Sequence, residues 1–314
     1  MTKPSSFSFR LSKLRVRHLA LLEIIAESGS LRQAANTLSV TQPAVTAMLQ
    51  ELEALLGARL VERDQQGARL TLAGNAVRER LCLVLNALHG VEATFLTTPP
   101  RPHLRIGALS FAMLELVPKV LATLRKDRPD ITFEFIEGTV EEMISGVLTG
   151  DFDCALGRLD SQINTLQDSD IEFKILCNVP LRIACAENNP ISKRRNVTLE
   201  ELQQEPWVLL PQGTGSRRTF EQAFAQRGLL PPFPTVESMS FVSNFHLVAT
   251  TNLLTISTAT AVEEYCRYGI IAPVDIQWPV SLAPLMLFAR KNTMELESVQ
   301  AFYQCIEAHT STPS

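Results

Sequence analysis

The chain is 314 residues long, with 46% hydrophobic residues, 20% charged residues and a formal net charge of −4. This length exceeds that of most single domains, so two or three domains are expected, and the composition is that of an ordinary soluble globular protein. No apolar run approaches the roughly 18 residues of a membrane span, and the N-terminus lacks an apolar core of signal-peptide length. These features exclude the membrane and secreted classes and favour a cytoplasmic protein.

Charge is unevenly distributed along the chain. Residues 1–75 contain nine Lys and Arg against six Asp and Glu, a net charge of +3, whereas the remaining residues contain 20 against 27, a net charge of −7. A basic N-terminal module on an acidic body predicts a polyanionic partner for the first part alone. The six cysteines are widely scattered without CxxC spacing, which is typical of reduced thiols.

Three short amphipathic helices are predicted in the N-terminal module. In the first, leucine and isoleucine side chains lie at helical spacing before Gly29, which is suited to end a helix in the left-handed conformation. The stretch SLRQAANTLSVTQPAVTAMLQELEALLG, residues 30–57, then contains two helices joined by a tight turn. Ser30 and Thr41 are suited to cap these helices, and Pro43 fits the first turn of the second. Two adjacent alanines allow the pair to cross closely, as in a helix-turn-helix.

The outer face of the third helix carries short and amide-bearing side chains. Gln42, Thr46 and Gln50 lie opposite its apolar side and suit base edges in the major groove of DNA. A helical hairpin with an ordinary solvated face is the alternative interpretation. The segment ARLVERDQQGARLTLAG favours the DNA-binding one, because it predicts a strand–turn–strand wing around Gln66-Gly67 whose arginines suit phosphate or minor-groove contacts. The predicted DNA-binding residues are Arg32, Thr41, Gln42, Pro43, Thr46, Gln50, Arg63 and Arg69, with the arginines mostly on the DNA backbone.

A longer helix is predicted from Thr71, and it leads into the hinge LTTPPRPH, whose prolines and threonines mark a domain boundary. Its apolar residues are spaced 4, 3, 4, 3 and 4 apart, which gives a heptad seam of about three repeats. A helix packed on its own core is the alternative explanation. Because a helix between two domains has to bury its seam against something, a second copy is the simplest partner and a dimer is favoured. The predicted seam consists of Val77, Leu81, Val84, Leu88, Val91 and Phe95.

After the hinge, short apolar runs alternate with helical stretches. The predicted strands are 104–109, 131–137, 154–157, 181–186, 207–210, 253–257 and 285–289. The predicted helices are a stretch interrupted at Pro118, followed by 140–149, 216–227, 241–250, 259–268 and 296–309. Strand–helix alternation implies mainly parallel sheets, and more than two hundred residues imply two α/β lobes rather than one.

These residues resemble the LysR-type transcriptional regulators. HLALLEIIAESGSLRQAANTLSVTQPAVTAMLQELEALLGARLVER matches the winged helix-turn-helix of that family nearly position by position, and LTLAGNAV matches the start of its linker helix. LRIGALS, ITFEFIEGT and GDFDCALGRL resemble its effector domain, so the similarity extends from about residue 14 to the end. The chain departs from the family at Val61, where Phe is usual, at Thr46, where Ser is commoner, and in TTNLLTIST, which lacks the usual glycines. Its basic N-terminal arm (Arg10, Lys13, Arg15) is also longer than usual.

The resemblance implies an α+β multi-domain protein that regulates transcription. It implies a homodimer, or more often a homotetramer, that binds double-stranded promoter operator DNA and responds to a small-molecule co-inducer, with RNA polymerase as a further partner. No cofactor, metal or membrane partner is implied. The expected parts are a winged helix-turn-helix at 1–70, a linker and dimerisation helix at 71–97, a hinge at 98–103, and a two-lobed α/β effector-binding domain resembling periplasmic binding proteins, with lobe I at 104–178 and 283–314 and lobe II at 179–282.

The resemblance places the effector between the two lobes, in a cleft that several segments are candidates to line. Ser110 and Phe111 follow the first strand of lobe I and Thr139 follows the second, at the carboxyl edge where ligands of open α/β sheets bind. The loop QGTGSRR enters a helix whose free N–H groups, together with Arg217, would attract an anion. We therefore expect a small organic anion, such as an aromatic or sugar-derived acid; loop and capping roles are the alternative. The predicted effector residues are Ser110, Phe111, Thr139, Arg158, Gly213, Thr214, Ser216, Arg217 and Ser257.

Three other functions are disfavoured by the sequence. An enzyme is disfavoured because the five histidines are dispersed without metal-ligand spacing and no GxSxG or phosphate-loop pattern occurs. A solute-binding protein would fit the last two thirds of the chain but not its N-terminal module. A redox sensor needs reactive cysteines in polar surroundings, whereas Cys154 and Cys185 lie in apolar strand-like runs.

Overall fold

The structure is a computed structural model that describes residues 13–64, 67–96, 101–158, 170–276 and 281–310. Arg10 of the basic arm, Gln66 of the predicted wing turn, residue 97 of the predicted linker helix and residues 98–100 of the predicted hinge lie outside the described residues. The chain forms two compact units. The first comprises the described residues up to Arg105 together with Asp130–Glu134 and Ile144–Asp153, and the second comprises the other described residues.

Three helices begin the first unit: α1 (Val16–Ser28), α2 (Leu31–Thr37) and α3 (Gln42–Leu56). The predicted helix caps are confirmed, since Ser30 Oγ accepts a hydrogen bond from Gln33 N at 3.5 Å and Thr41 Oγ1 accepts one from Ala44 N at 3.4 Å. Gly29 follows α1 in the left-handed conformation, with φ of 62°. The two small alanines of α2 are buried in the core that the three helices share.

Strands β1 (Val61–Asp64) and β2 (Gly67–Leu70) form the predicted wing as an antiparallel pair. The N–H of Ala68 on β2 donates to the carbonyl of Gly29 at 2.8 Å, so the wing is attached to the end of α1. The wing therefore has a fixed place relative to the three helices.

A long helix, α4 (Leu72–Phe95), follows the wing and is capped by Thr71, whose Oγ1 accepts a hydrogen bond from Gly74 N at 2.9 Å. Gly74 lies so close to the wing that an added Cβ would be 2.0 Å from the carbonyl oxygen of Leu60. Only glycine permits this approach, and the helix thereby starts in direct contact with the wing.

The rest of the chain is built on a seven-stranded sheet. Its strands are β3 (His103–Ala108), β4 (Thr132–Glu137), β5 (Cys154–Gly157), β6 (Ile171–Ala186), β9 (Thr255–Thr258), β10 (Ile271–Pro273) and β11 (Ser281–Arg290). The strand order is β10-β6-β11-β5-β3-β4, with β9 also paired to β6. Two short strands, β7 (Val208–Leu209) and β8 (Val236–Glu237), form a separate parallel pair.

The expectation of mainly parallel sheets is wrong for the centre of this fold. Strands β3 and β5 are parallel, but the pairings that β6 and β11 make are antiparallel. The reason is that β6 is much longer than the predicted strand 181–186: its residues 171–180 pair with β11, and residues 181–186 pair with β9 and β10. The change of partner lies close to the predicted boundary between lobes I and II, which itself stays a prediction.

Most helices in this part of the chain lie close to the predicted positions, whereas two short ones, Leu199–Leu202 and Lys291–Met294, were not predicted. The helices are α5 (Ser110–Glu115), α6 (Val117–Asp127), α7 (Val140–Thr149), α8 (Leu199–Leu202), α9 (Gly215–Gln226), α10 (Phe241–Thr250), α11 (Ala259–Arg267), α12 (Lys291–Met294) and α13 (Glu297–Thr310). Within the described ranges, no helix is both long enough and apolar enough to cross a membrane.

Candidate DNA-binding and effector sites

Helix α3 presents the predicted recognition face to solvent. Gln42, Pro43 and Gln50 are exposed and Thr46 is half-buried, while the opposite side of the helix is buried in the core. Thr41 is exposed too, but its hydroxyl oxygen caps the helix, so it supports the face structurally. Amide and hydroxyl groups on such a face both donate and accept hydrogen bonds, which is what base edges in a major groove require.

Three arginines occupy exposed positions on the neighbouring elements. Arg32 lies in the first turn of α2, Arg63 on β1, and Arg69 on β2 opposite Glu62. A guanidinium keeps its charge at any physiological pH and presents five donors, so these positions are suited to phosphate oxygens.

Two carboxylates on α3 that sequence reasoning missed hold the neighbouring elements. Glu53 Oε1 accepts hydrogen bonds from the wing residues Leu60 N and Val61 N at 2.7 and 3.2 Å. Glu51 lies 3.8 Å from the Arg15 guanidinium and 3.5 Å from Nε2 of the fully buried His18 at the start of α1. These contacts fix the orientation of α3, and with it the face that carries the glutamines.

His18 itself closes the first turn of α1. Its Nδ1 accepts a hydrogen bond from Arg15 N at 3.1 Å, which requires that the neutral ring carry its hydrogen on Nε2. Burial lowers the pKa of His18 below its ordinary value, and this effect outweighs the nearby Glu51, which raises it. His18 is therefore a structural residue of the helix start.

The predicted seam on α4 divides into two parts. Leu81 is only 8% exposed and packs in the core of the helix-turn-helix module, with Val77 partly buried beside it. Leu81 is thus wrongly assigned as a dimerisation residue, because its side chain already has a partner surface within its own chain. Four later seam residues remain 40–68% exposed on the same helix: Val84, Leu88, Val91 and Phe95.

Three predicted effector residues come together at one edge of the seven-stranded sheet. Ser110, Thr139 and Arg158 each lie one or two residues beyond the carboxyl ends of the neighbouring strands β3, β4 and β5. The hydrogen bonds Leu109 N to Leu156 O (3.1 Å) and Gly138 N to Ala108 O (3.3 Å) join these ends directly. The Arg158 guanidinium lies 4.5 Å from the centre of the Phe111 ring, a cation–π contact that brings a fourth predicted residue into the group.

Thr139 caps the start of α7 through two hydrogen bonds with Glu142. Glu142 Oε2 accepts a hydrogen bond from Thr139 N at 2.7 Å, and Thr139 Oγ1 accepts one from Glu142 N at 3.3 Å. The bond from the Thr139 backbone lowers the pKa of the Glu142 carboxyl. The N–H at this helix start is therefore occupied by a carboxylate, and the Thr139 hydroxyl hydrogen is what it can offer to a ligand.

The expectation that Arg217 attracts an anion is wrong. Arg217 is 4% exposed, and its guanidinium donates to Glu221 Oε1 at 2.7 Å, Glu237 Oε1 at 3.2 Å and the Leu210 carbonyl at 3.3 Å. Two carboxylates already neutralise it, so its role is to hold the start of α9 against β8. In the same loop Gly213 adopts a left-handed φ of 87°, and Thr214 Oγ1 donates to the Pro211 carbonyl at 3.0 Å.

The rest of that loop contributes little to a site. Ser216 is buried in the first turn of α9, and Ser257 is buried on β9 opposite Arg182, which gives both of them structural positions. The hydroxyl of the next residue, Thr258, donates to the carboxylate of Glu115 on α5, in the predicted lobe I. Burial raises the pKa of Glu115 above its ordinary value. Neither Glu115 nor Thr258 was predicted, since their contact joins residues 143 positions apart.

Two protein-family models match most of the chain. The bacterial regulatory helix-turn-helix protein of the lysR family matches residues 16–75, and the LysR substrate binding domain matches residues 97–311. The chain belongs to the LysR family of transcriptional regulators. It is similar over most of its length to the uncharacterized HTH-type transcriptional regulator YdcI of Escherichia coli (strain K12), at 28% identity over 293 residues, 92% of this chain and 93% of that protein.

Another relative and a solved structure extend this similarity. The transcriptional regulator GbpR of Azospirillum brasilense is 27% identical over 287 residues, 90% of this chain and 83% of that protein. The crystal structure of CbnR, a LysR family transcriptional regulator, matches with a TM-score of 0.63 at 20% identity, covering 95% of this chain and 99% of that one. At this identity the match to CbnR shows the fold.

The predicted architecture is thereby confirmed for this LysR-type regulator: an N-terminal helix-turn-helix, the long helix α4 and a C-terminal α/β domain. It is a DNA-binding transcriptional regulator with an effector-binding domain, and not an enzyme. In the described part of the chain, no group of three or more His, Cys, Asp and Glu side chains is arranged to hold a metal ion.

Proposed function

We propose that this LysR-type regulator reads operator DNA with α3, assembles through α4, and changes its activity when a small organic anion binds at the sheet edge formed by Ser110, Thr139 and Arg158. For DNA binding, the support is the exposed face of α3 with Gln42, Thr46 and Gln50, beside three exposed arginines. A structure of full-length CbnR with its target DNA, which this chain matches at a TM-score of 0.63, supports the same use of the module.

Assembly is supported by the exposed part of the seam. Four large apolar side chains at a heptad spacing on α4 are exposed to solvent in the single chain: Val84, Leu88, Val91 and Phe95. A second copy of the helix would bury the same set from both sides, as in a two-stranded coiled coil. Pairs of such dimers would span two neighbouring operator half-sites.

The single observation that carries the effector proposal is the meeting of Ser110, Thr139 and Arg158 after three adjacent strands, with Phe111 against the arginine. A carboxylate can accept hydrogen bonds from the two hydroxyls and from the guanidinium, and the Phe111 ring offers an apolar surface to the rest of the ligand. From the predicted lobe II, the backbone of the loop that contains Gly213 would contact the ligand. An aromatic acid suits this set of groups, and a sugar-derived acid suits its hydroxyls.

A thermal-shift screen of the full-length protein tests the effector proposal. The panel contains aromatic and sugar acids, each paired with its neutral amide and an amine analogue. A specific acid present at about 100 times its Kd should stabilise the folded protein by about 2.7 kcal/mol. The amide and amine analogues should produce little shift, because they lack the charge that Arg158 recognises.

Calorimetric titration of an acid found in this way then assigns the site. Arg158→Gln should weaken binding roughly tenfold or more, since a hydrogen bond to a charged group contributes about 1.5–3 kcal/mol. Thr139→Val should weaken it less, and Arg125→Gln, an exposed position in the last turn of α6, is the matched control. Unchanged affinity in both Arg158→Gln and Thr139→Val would place the site elsewhere, and a cationic inducer would refute the anion proposal.

A further inference from the structure

One buried polar residue lies on the helix that links the two matched domains. Asn86 on α4 is 8% exposed, although its neighbours Ala87 and Leu88 are exposed. Its Nδ2 donates to the carbonyl of Thr149 at 2.9 Å and to Asp151 Oδ1 at 2.8 Å. Both partners are acceptors, so the amide nitrogen has to face them. Residues 149 and 151 lie within the stretch that matches the LysR substrate binding domain, and they belong to the same compact unit as α4.

The position of Asn86 on the helix leaves the seam free. It lies two residues after Val84 and two before Leu88, which is about 200° around the helix from each. One side of α4 can therefore pair with a second copy while the opposite side stays bonded to residues 149–151 of its own chain.

The loop that Asn86 binds is firmly held. Gly150 takes a left-handed φ of 83°, and its carbonyl accepts a hydrogen bond from the Arg105 guanidinium at 2.8 Å. Arg105 N also donates to Asp153 Oδ2 at 2.8 Å. The Thr149 hydroxyl donates to the second oxygen of Asp151, which orients that carboxylate toward Asn86. A displacement of this loop would thus be transmitted to its partner on α4.

The same loop follows the last residue of helix α7, which starts at the proposed effector site. Helix α7 runs without interruption from Val140 to Thr149, ten residues or about 15 Å. Thr139 immediately precedes its first residue, and its last residue supplies the carbonyl that Asn86 binds. Met143 and Val147 on this helix are buried.

We propose that Asn86 is the positioning residue through which the effector-binding domain sets the linker helix, with α7 connecting it to the effector site. The proposal rests on the proposed function in one respect, the assignment of Thr139 to that site. A ligand that shifts the start of α7 would change the bonds at its end, and these bonds orient α4 and the module it carries. Because coupling between two binding sites is reciprocal, DNA binding has to affect α7 in turn.

Hydrogen exchange of the full-length protein tests this without an effector. Peptides covering residues 139–150 are followed with and without a duplex that the purified protein has selected from a random-sequence pool. In the wild type, the duplex should change exchange in these peptides threefold or more. Asn86→Asp replaces the amide donor by a carboxylate, which cannot donate to the Thr149 carbonyl or to Asp151. The free variant should then exchange roughly tenfold faster at residues 144–150, and the effect of DNA on α7 should disappear.

Two further variants make the result specific. His89→Asp adds a similar charge at an exposed position of the same helix and should behave as the wild type. Asn86→Asp with Asp151→Asn reverses donor and acceptor and should restore part of the DNA effect. The proposal is overturned if DNA does not change the exchange rate at residues 139–150 in the wild type, or if the DNA effect persists in Asn86→Asp. The two proposals can also fail separately. If DNA changes exchange in α7 as expected but no anion binds at Arg158, the role of Asn86 is supported and only the proposed effector site is refuted.

Discussion

Gln50 and Arg63 belong to the same DNA-binding module, but their side chains predict different effects of substitution. Gln50 on the exposed face of α3 can donate and accept at one base edge, whereas Arg63 on the wing carries a charge suited to phosphate. Gln50→Ala should therefore change sequence preference, by about 1–3 kcal/mol at one base pair. Arg63→Ala should weaken binding to all sequences alike and lower the salt dependence by about one charge.

Fluorescence anisotropy on a set of single-base operator variants, at two salt concentrations, measures both effects. Glu62→Gln is a useful control, because it changes an exposed wing residue without removing a cation. If Gln50→Ala kept the ranking of operators while Arg63→Ala altered it, the two assignments would have to be exchanged.

The surroundings of the cysteines agree with the sequence argument that disfavours a redox sensor. Cys185 is fully buried on β6, and burial raises its pKa to about 12. Burial also raises the pKa of Cys177 and of Cys266. Since the thiolate is the reactive form, none of these three is suited to sense oxidants near neutral pH.

Among the elements, local signals explain why most of the structure at residues 13–64 and 67–96 was predictable. Caps at Ser30, Thr41 and Thr71 and the helix-ending glycines act within four residues of their own position, so the sequence displays them directly. The same holds for α7 and α10, whose predicted bounds agree with the structure.

The first half of β6 was missed because its pattern is not local. Residues 171–180, IEFKILCNVP, mix charged and apolar side chains, and only Ile171 and Val179 among them are buried. Their strand conformation comes from pairing with β11, more than a hundred residues away in sequence. The errors at Arg217 and Leu81 have the same origin, since Glu237 and the helix-turn-helix core are tertiary partners that spacing does not reveal.

Helix α4 carries the prediction on assembly. Replacing Leu88 and Val91 with Asp would put charges into the exposed seam, so the double variant should lose dimer formation and specific DNA binding together. Leu81→Asp is unsuitable for this purpose, because it would also disrupt the core of the DNA-binding module. Analytical ultracentrifugation gives the oligomeric state, and Ala87→Asp, exposed on the same helix, is the control. A dimer that persists in the double variant would contradict the coiled-coil assignment.

In the whole molecule, one hydrogen bond of the effector-binding domain joins segments that belong to its two predicted lobes. Glu115 on α5 is partly buried, and its carboxylate accepts a hydrogen bond from the hydroxyl of Thr258, the cap of α11, whose Oγ1 accepts one from Ala261 N at 3.3 Å. Charges around it act in both directions, since Lys119 lowers the pKa of Glu115 and Glu264 raises it, but burial is the largest effect and raises it. A carboxyl whose pKa is raised by burial thus joins segments of the two predicted lobes.

The raised pKa of Glu115 predicts how the stability of the domain depends on pH. Because the pKa of Glu115 in the folded state lies above its ordinary value of 4.5, the stability it contributes is present below that value and lost as pH rises through the folded-state pKa. Glu115→Gln keeps an acceptor for Thr258 but cannot ionise, so it should raise the Tm of the effector-binding domain at pH 7.5. An increase of a few degrees is expected, since about 1 kcal/mol corresponds to about 2–4 °C in a domain of this size.

Tryptophan fluorescence makes this measurement selective, because both tryptophans, Trp207 and Trp278, lie within the substrate-binding match at 97–311. Thermal unfolding of wild type and Glu115→Gln is compared at several pH values from 7.5 down to 5, with the exposed Glu200→Gln as the control. The difference in Tm between Glu115→Gln and wild type should shrink as pH falls, because the wild-type carboxyl then takes up its proton. A difference that stays constant with pH, or a lower Tm for Glu115→Gln at pH 7.5, would mean that the carboxylate itself stabilises the contact between the lobes.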